Sequence, residues 1–100
     1  MAGKDIETEL KKKVEKYRLL TEKALSKVSI KVPVGHGMRA VAEDFISMAK
    51  NYFSDAKHFE EKGELLTALA AYSYAHAWLD AGVRAKVLDA KGDSGLFTLP

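Results

Sequence analysis

The chain of 100 residues contains no cysteine, two prolines and one tryptophan. Without cysteine it can form neither a disulfide nor a cysteine-ligated zinc site. Its longest charge-free apolar run, residues 65–79, is too short to cross a bilayer and is diluted by polar side chains. The first residues lack the apolar segment of a signal peptide, so we expect a cytoplasmic protein with no membrane span.

Charge is nearly balanced, with 16 basic and 14 acidic residues, which gives no general indication of a nucleic-acid partner. The small basic surplus lies in residues 4–29, which carry eight basic and five acidic residues. Because acidic residues lie three or four positions from several of these lysines, a solvated helix face is one interpretation. The alternative is an anion-binding patch formed by Lys12, Lys13 and Lys16.

Apolar residues recur at steps of three and four in three segments, which is typical of amphipathic helices. The predicted helices lie near residues 5–28, 38–62 and 64–91. Pro33 follows the first helix, and the loop 32–37 is expected to have no strand partner. Gly63 is the predicted hinge between the second and third helices, because glycine can take the left-handed conformation that ends a helix. The pattern predicts a single all-α domain, an antiparallel up-down-up three-helix bundle.

The third segment carries two apolar stripes rather than one. The second stripe contains Leu66, Ala70, Tyr74, Ala77, Trp78, Ala81, Ala85 and Leu88. Both stripes must be covered, either by the neighbouring helices or by another chain. The tail, residues 92–100, ends in large apolar side chains that either fold back or dock onto another subunit. We therefore predict a surface that binds another protein or a second copy in a homodimer, formed by Tyr74, Trp78, Leu88, Leu96 and Phe97.

No segment has the pattern of a catalytic site. His76 and Asp80 are four residues apart and share a helix face, as metal ligands can. Such two-residue pairs occur by chance in most helical proteins, so we expect these side chains to form hydrogen bonds or to face solvent. His36 lies between two glycines without the spacing of a phosphate-binding loop. We therefore expect a non-enzymatic protein that holds no metal and no cofactor.

Two resemblances concern the hairpin around Gly63. Large and small side chains alternate as in a single tetratricopeptide repeat, at Tyr52, Ala56, Phe59, Ala68, Tyr72 and Ala75. Residues 53–82 also resemble the HEPN family of helical domains, which implies RNA or nucleotide binding. The arginine-then-histidine pair of HEPN ribonucleases does not follow Arg18, Arg39 or Arg84. A HEPN-like RNA or nucleotide binder without the nuclease motif is therefore the alternative function.

A third resemblance covers nearly the whole chain. The Gly63 turn, the run Ala-Leu-Ala-Ala-Tyr at residues 68–72 and the run Trp-Leu-Asp at residues 78–80 are similar to an archaeal family. That family is catalogued as domain of unknown function 357. The resemblance implies a compact three-helix bundle, similar in fold to bacterial immunoglobulin- and albumin-binding domains. It implies no activity and no site residue.

Overall fold

The computed structural model describes residues 2–99, with side chains from residue 5 onward, so Pro100 of the predicted tail lies outside the described residues. In chain order the elements are α1 (Ala2–Lys27), β1 (Ser29–Ile30), α2 (Arg39–Glu61), α3 (Leu65–Arg84) and β2 (Leu88–Asp89). The three helices pack against one another, with α3 in contact with both α1 and α2. The predicted all-α, three-helix bundle is therefore confirmed.

The hinge between α2 and α3 has the hydrogen bonds of a Schellman motif. The Glu64 amide donates to the Phe59 carbonyl at 2.9 Å, and the Gly63 amide donates to the Glu60 carbonyl at 3.0 Å. Gly63 has the left-handed φ of +79° that this motif needs. Apart from its chain neighbours, no atom lies within 4 Å of the place where a side chain at Gly63 would begin. Backbone conformation, and not lack of space, therefore requires glycine here.

Small buried residues line both helices of this hairpin. They recur every seven residues on each helix: Ala42, Ala49 and Ala56 on α2, and Ala68, Ala75 and Gly82 on α3. The two sets lie at equal distances along the chain from Lys62, the residue that caps α2, so an antiparallel hairpin places their members opposite each other in pairs. Because alanine and glycine lack long side chains, α2 and α3 can approach closely along this seam.

The third helix ends earlier than the predicted 64–91, because α3 ends at Arg84. A second Schellman-type bond closes it, in which the Val87 amide donates to the Gly82 carbonyl at 3.1 Å. The left-handed position of this motif is held by Lys86, with φ +63°, instead of by a glycine. The sequence therefore carries no glycine signal for the end of this helix.

After this turn the chain forms β2, which pairs with β1 in an antiparallel ladder. Ser29 lies opposite Asp89, and Ile30 lies opposite Leu88. The Lys31 amide extends the ladder with a 2.9 Å bond to the carbonyl of Val87. Strands of two residues are too short for an alternating pattern, so the sequence did not predict them.

The same turn places Leu88 against Gly82. A side chain at Gly82 would begin 2.3 Å from Cδ1 of Leu88 and 3.2 Å from Cδ2 of Phe45. Glycine inside α3 is therefore needed for close packing. Its closest neighbour, however, is the returning chain after the helix.

Replacing Gly82 by alanine is expected to lower the free energy of unfolding by about 1–3 kcal/mol, because the new methyl group overlaps Leu88. Helix propensity alone predicts the opposite, a gain of about 1 kcal/mol. Urea denaturation followed by circular dichroism measures the difference. In a Leu88→Ala background the same change should be neutral or stabilising. An equal loss in both backgrounds would contradict the overlap.

Candidate functional site

One face of α3 is exposed and carries no charge. We call it the outer face, and it consists of Leu66, Ala70, Tyr74, Ala77, Ala81 and the C-cap residue Ala85, all of them exposed. Leu66 and Tyr74 are the large side chains of the set, with exposed fractions of 73% and 60%. A contiguous apolar surface of this kind, with no charged side chain in the stripe, is typical of an interaction site in a folded protein.

Tyr74 and Trp78, both predicted to bind a partner, lie side by side on α3. The Tyr74 ring packs against Tyr52 of α2, with ring centroids 5.6 Å apart. The half-buried Trp78 ring meets Phe45 edge-on at 5.3 Å and 71°. These contacts hold both aromatic rings against α2 while Tyr74 stays open to solvent. Rigid aromatic side chains are effective anchors for a partner, because little side-chain entropy is lost on binding.

A shallow groove of about 260 Å³ lies between these aromatic rings and the end of α3. It is lined by Tyr74, Ala77, Trp78 and Ala81. Its lining is apolar, and two of its four residues are alanines, whose small side chains leave the groove unfilled. The groove can accept an apolar or aromatic side chain and offers no charged group for a polar ligand.

The other residues predicted for this surface lie elsewhere. Leu88, in β2, is 2% exposed, and Phe97 is 4% exposed. Both belong to a buried core cluster that also contains Leu79 and Val83 of α3. Leu96 is half-buried against that cluster. Leu88 lies there because α3 ends before it, and Phe97 because the tail folds back onto the bundle. Of the five residues predicted for the partner surface, Tyr74 therefore lies on the outer face and Trp78 at its edge, whereas the other three lie in β2 or the tail.

A row of polar side chains on α3 holds the tail in place. His76 Nε2 donates to the Leu96 carbonyl, the Thr98 amide donates to Asp80 Oδ1 at 2.9 Å, and Arg84 donates to the Leu99 carbonyl at 3.1 Å. The three α3 residues are spaced by four, so they lie along one side of the helix. His76 and Asp80 therefore bind main-chain groups of the tail. The sequence contains the two parts of this contact, a polar row spaced by four residues and an apolar tail after it, but no local pattern shows that they meet.

The tautomer of His76 follows from its two partners. A carbonyl oxygen can only accept, so Nε2 carries the proton that bonds Leu96. In the neutral ring Nδ1 is then the acceptor, 3.2 Å from the hydroxyl of the fully buried Thr21 on α1. His76 thus joins α1, α3 and the tail.

A second anchor fixes the start of the tail to α1. Lys27 Nζ lies 2.7 Å from Asp93 Oδ2. Asp93 Oδ1 also accepts the amides of Gly95 and Leu96, at 3.0 and 3.1 Å. The hydrogen bond from Lys27, followed by those from the backbone, lowers the pKa of Asp93. The carboxylate form therefore shapes the turn that directs Phe97 inward.

A polar bridge joins all three helices at the other end of the bundle. Glu60 accepts hydrogen bonds from Arg18 and from the hydroxyl of the fully buried Tyr72, the latter at 2.7 Å. Burial, and then the hydrogen bond to Glu60, raise the pKa of Tyr72 well above its usual value. The bridge satisfies the buried hydroxyl and ties α1 to the α2–α3 hairpin. Its geometry is that of a structural contact.

The predicted basic residues Lys12, Lys13 and Lys16 are all exposed on α1. None of them forms an ion pair within the described residues, whereas Lys11 pairs with Glu7 at 3.5 Å. Lys12 and Lys16 border a shallow, mainly apolar groove of about 360 Å³. Glu15 also lines it, so the local field is only weakly positive.

Features of other functional classes are few. Residues 5–99 contain no group of three or more histidine, aspartate or glutamate side chains placed to share a metal ion. His36 is exposed, and its Nδ1 accepts the amide of Met38 at 3.0 Å, so it closes the loop before α2. Among the helices described, none is both long and apolar enough to cross a bilayer.

A protein-family model, described as Protein of unknown function (DUF357), matches residues 16–88. The chain belongs to the DUF357 family. The match runs from within α1 to the first residue of β2, so the hairpin and the outer face lie inside it. No curated protein and no solved structure matches the chain significantly. The expected likeness to immunoglobulin- and albumin-binding domains, and those to HEPN domains and tetratricopeptide repeats, stay predictions.

In this DUF357 member, Tyr72 should make stability depend on pH in the alkaline range. Tyrosine in the unfolded chain ionises above about pH 10, whereas folded Tyr72 keeps its proton because its pKa is raised. The folded state then binds more protons than the unfolded state. The stability that Tyr72 contributes is therefore complete below pH 10 and decreases as the pH rises beyond it.

Tyr72→Phe should remove this part of the pH dependence, as measured by urea denaturation at about pH 8 and about pH 11. Tyr17→Phe changes an exposed tyrosine of α1 and is the matched control. If Tyr72→Phe and the control lose stability equally with rising pH, the raised pKa is not a property of the Tyr72–Glu60 contact.

Proposed function

We propose that this protein is a non-enzymatic interaction module that binds another protein through the outer face of α3, in the cytoplasm predicted from its sequence. One observation carries the proposal. The outer face is an uncharged helix stripe in which Tyr74 and Leu66 remain largely exposed. Leaving such apolar area in water is unfavourable by roughly 25 cal/mol per Å², so a partner that covers it gains that free energy.

The chemistry of the face favours a protein over a nucleic acid. Binding to a phosphate backbone depends on lysine and arginine contacts that release counterions. The outer face offers no such side chain between Leu66 and Ala81. It offers a tyrosine, a tryptophan edge and alanines, a combination that suits the apolar side chains of a protein partner.

Tyr74→Lys is expected to prevent partner binding without unfolding the protein, because Tyr74 is 60% exposed. The assay is affinity purification of tagged protein from nuclease-treated extract of the source organism, quantified by mass spectrometry. Tyr17→Lys, the same change at an exposed tyrosine of α1, is the control. The proposal requires partners retained by wild type and by the control and lost from Tyr74→Lys. Identical partners for all three would contradict it.

A second candidate function is favoured by the unpaired lysines of α1. Lys12, Lys13 and Lys16 form no ion pair among the described residues, so their charges are available to an anionic partner such as RNA. This is the HEPN-like alternative. It would use a different surface from the outer face, so the two candidates can be separated by variants.

Reversing two of these charges, as Lys12→Glu with Lys16→Glu, should weaken binding to single-stranded RNA by at least about tenfold and reduce its salt dependence. Lys50→Glu with Lys57→Glu makes the same change in net charge on α2 and is the control. Fluorescence anisotropy at several salt concentrations measures both. Absent binding, or equal weakening in both double variants, would remove this candidate.

A further inference from the structure

The outer face of α3 has a symmetric spacing. Its six residues follow one another at steps of four, four, three, four and four. Read from either end, the series is the same. A two-fold interface between identical chains needs a surface that matches itself, with residue i against j and j against i. An antiparallel pair of α3 helices meets this condition with Leu66 opposite Ala85, Ala70 opposite Ala81, and Tyr74 opposite Ala77.

Side-chain sizes agree with this register. Each large residue of the outer face meets a small one, since Tyr74 meets Ala77 and Leu66 meets Ala85. The remaining pair, Ala70 with Ala81, is small on both sides and lets the helix backbones approach closely. The groove of about 260 Å³ next to Ala77 then lies where the Tyr74 ring of the second copy arrives.

Charge selects the antiparallel direction. The exposed Glu64 lies at the N-terminal end of α3, and the exposed Arg84 and Lys86 lie at its C-terminal end. Antiparallel pairing brings the end of α3 that carries Glu64 next to the end that carries Arg84 and Lys86 in the other copy, and it also sets the two helix dipoles antiparallel, which is favourable. Parallel pairing would place like charges next to each other at both ends.

We propose that a second copy of this chain docks on the outer face of α3, forming a two-fold homodimer in which the two α3 helices run antiparallel. Tyr74 of each copy enters the groove of Ala77, Trp78 and Ala81 on the other. This inference rests on the proposed function and names the partner of the same surface. A single helix pair buries less area than a standard stable interface, so the dimer is weak and forms at high protein concentration.

The absence of cysteine allows the register to be tested by disulfide trapping. Ala70→Cys and Ala81→Cys are prepared as two separate variants of the full chain and oxidised at about 1 mM, alone and as an equal mixture. The antiparallel register predicts cross-linked dimers in the mixture and few in either variant alone, because facing Cα atoms of close-packed helices come within disulfide range. Parallel pairing would give the reverse pattern and would overturn the inference.

Sedimentation between about 10 µM and about 1 mM provides the second measurement. Wild type and Tyr17→Lys should dimerise equally, and Tyr74→Lys should raise the dissociation constant by roughly 30-fold or more. A wild-type monomer throughout this range would overturn the inference. If that monomer still captures a partner that Tyr74→Lys loses, the proposed function survives and only the homodimer fails. If Tyr74→Lys changes neither capture nor dimerisation, both fail.

Discussion

The contact between Leu88 and Gly82 determines how the last part of the chain is arranged. Leu88 occupies the space in which a side chain at Gly82 would begin, at a separation of only 2.3 Å. It can reach this place only if the helix ends first, and the left-handed conformation of Lys86 ends it. That conformation costs roughly 1–2 kcal/mol for a residue other than glycine, so the burial of Leu88 must offset it.

The path of the tail follows from the same contact. Once β2 pairs with β1, the chain continues along the side of α3 that carries His76 and Asp80, where Phe97 enters the core. The tail covers this side, while α1 and α2 cover others. The outer face is the part of α3 that none of these elements covers, and it is also free of charge. Its exposure is therefore a consequence of how the chain returns, and it is the basis of the proposed interaction.

Much of the fold could be predicted because its determinants are local. The steps of three and four define the helices, and Gly63 marks the hinge at which the left-handed conformation is needed. The end of α3 was missed because Lys86 takes that conformation without being a glycine. The apolar stripe continues in the sequence to Leu88, so periodicity extended the helix into a segment that in fact turns back. Only tertiary packing distinguishes the two outcomes.

The sequence predicts only the part of the candidate site that lies within a helix. Tyr74 and Trp78 lie within a helix, so their spacing alone places them together. Leu88, Leu96 and Phe97 follow the end of α3, where helix geometry no longer fixes positions, and two of the three are buried. The role of His76, Asp80 and Arg84 depends on contacts with residues 96–99, which no local pattern reveals. The symmetric spacing of the outer face became meaningful only once its exposure was known.

The most direct test of this account is a concentration series of ¹H–¹⁵N NMR spectra of the full chain, from about 50 µM to about 1 mM. The account predicts progressive shifts of the amide signals of the outer face and of the adjacent Trp78, with small changes on α1 and in the loop 32–37. Shifts centred on α1, or spectra that do not change with concentration, would contradict a second copy on the outer face of α3.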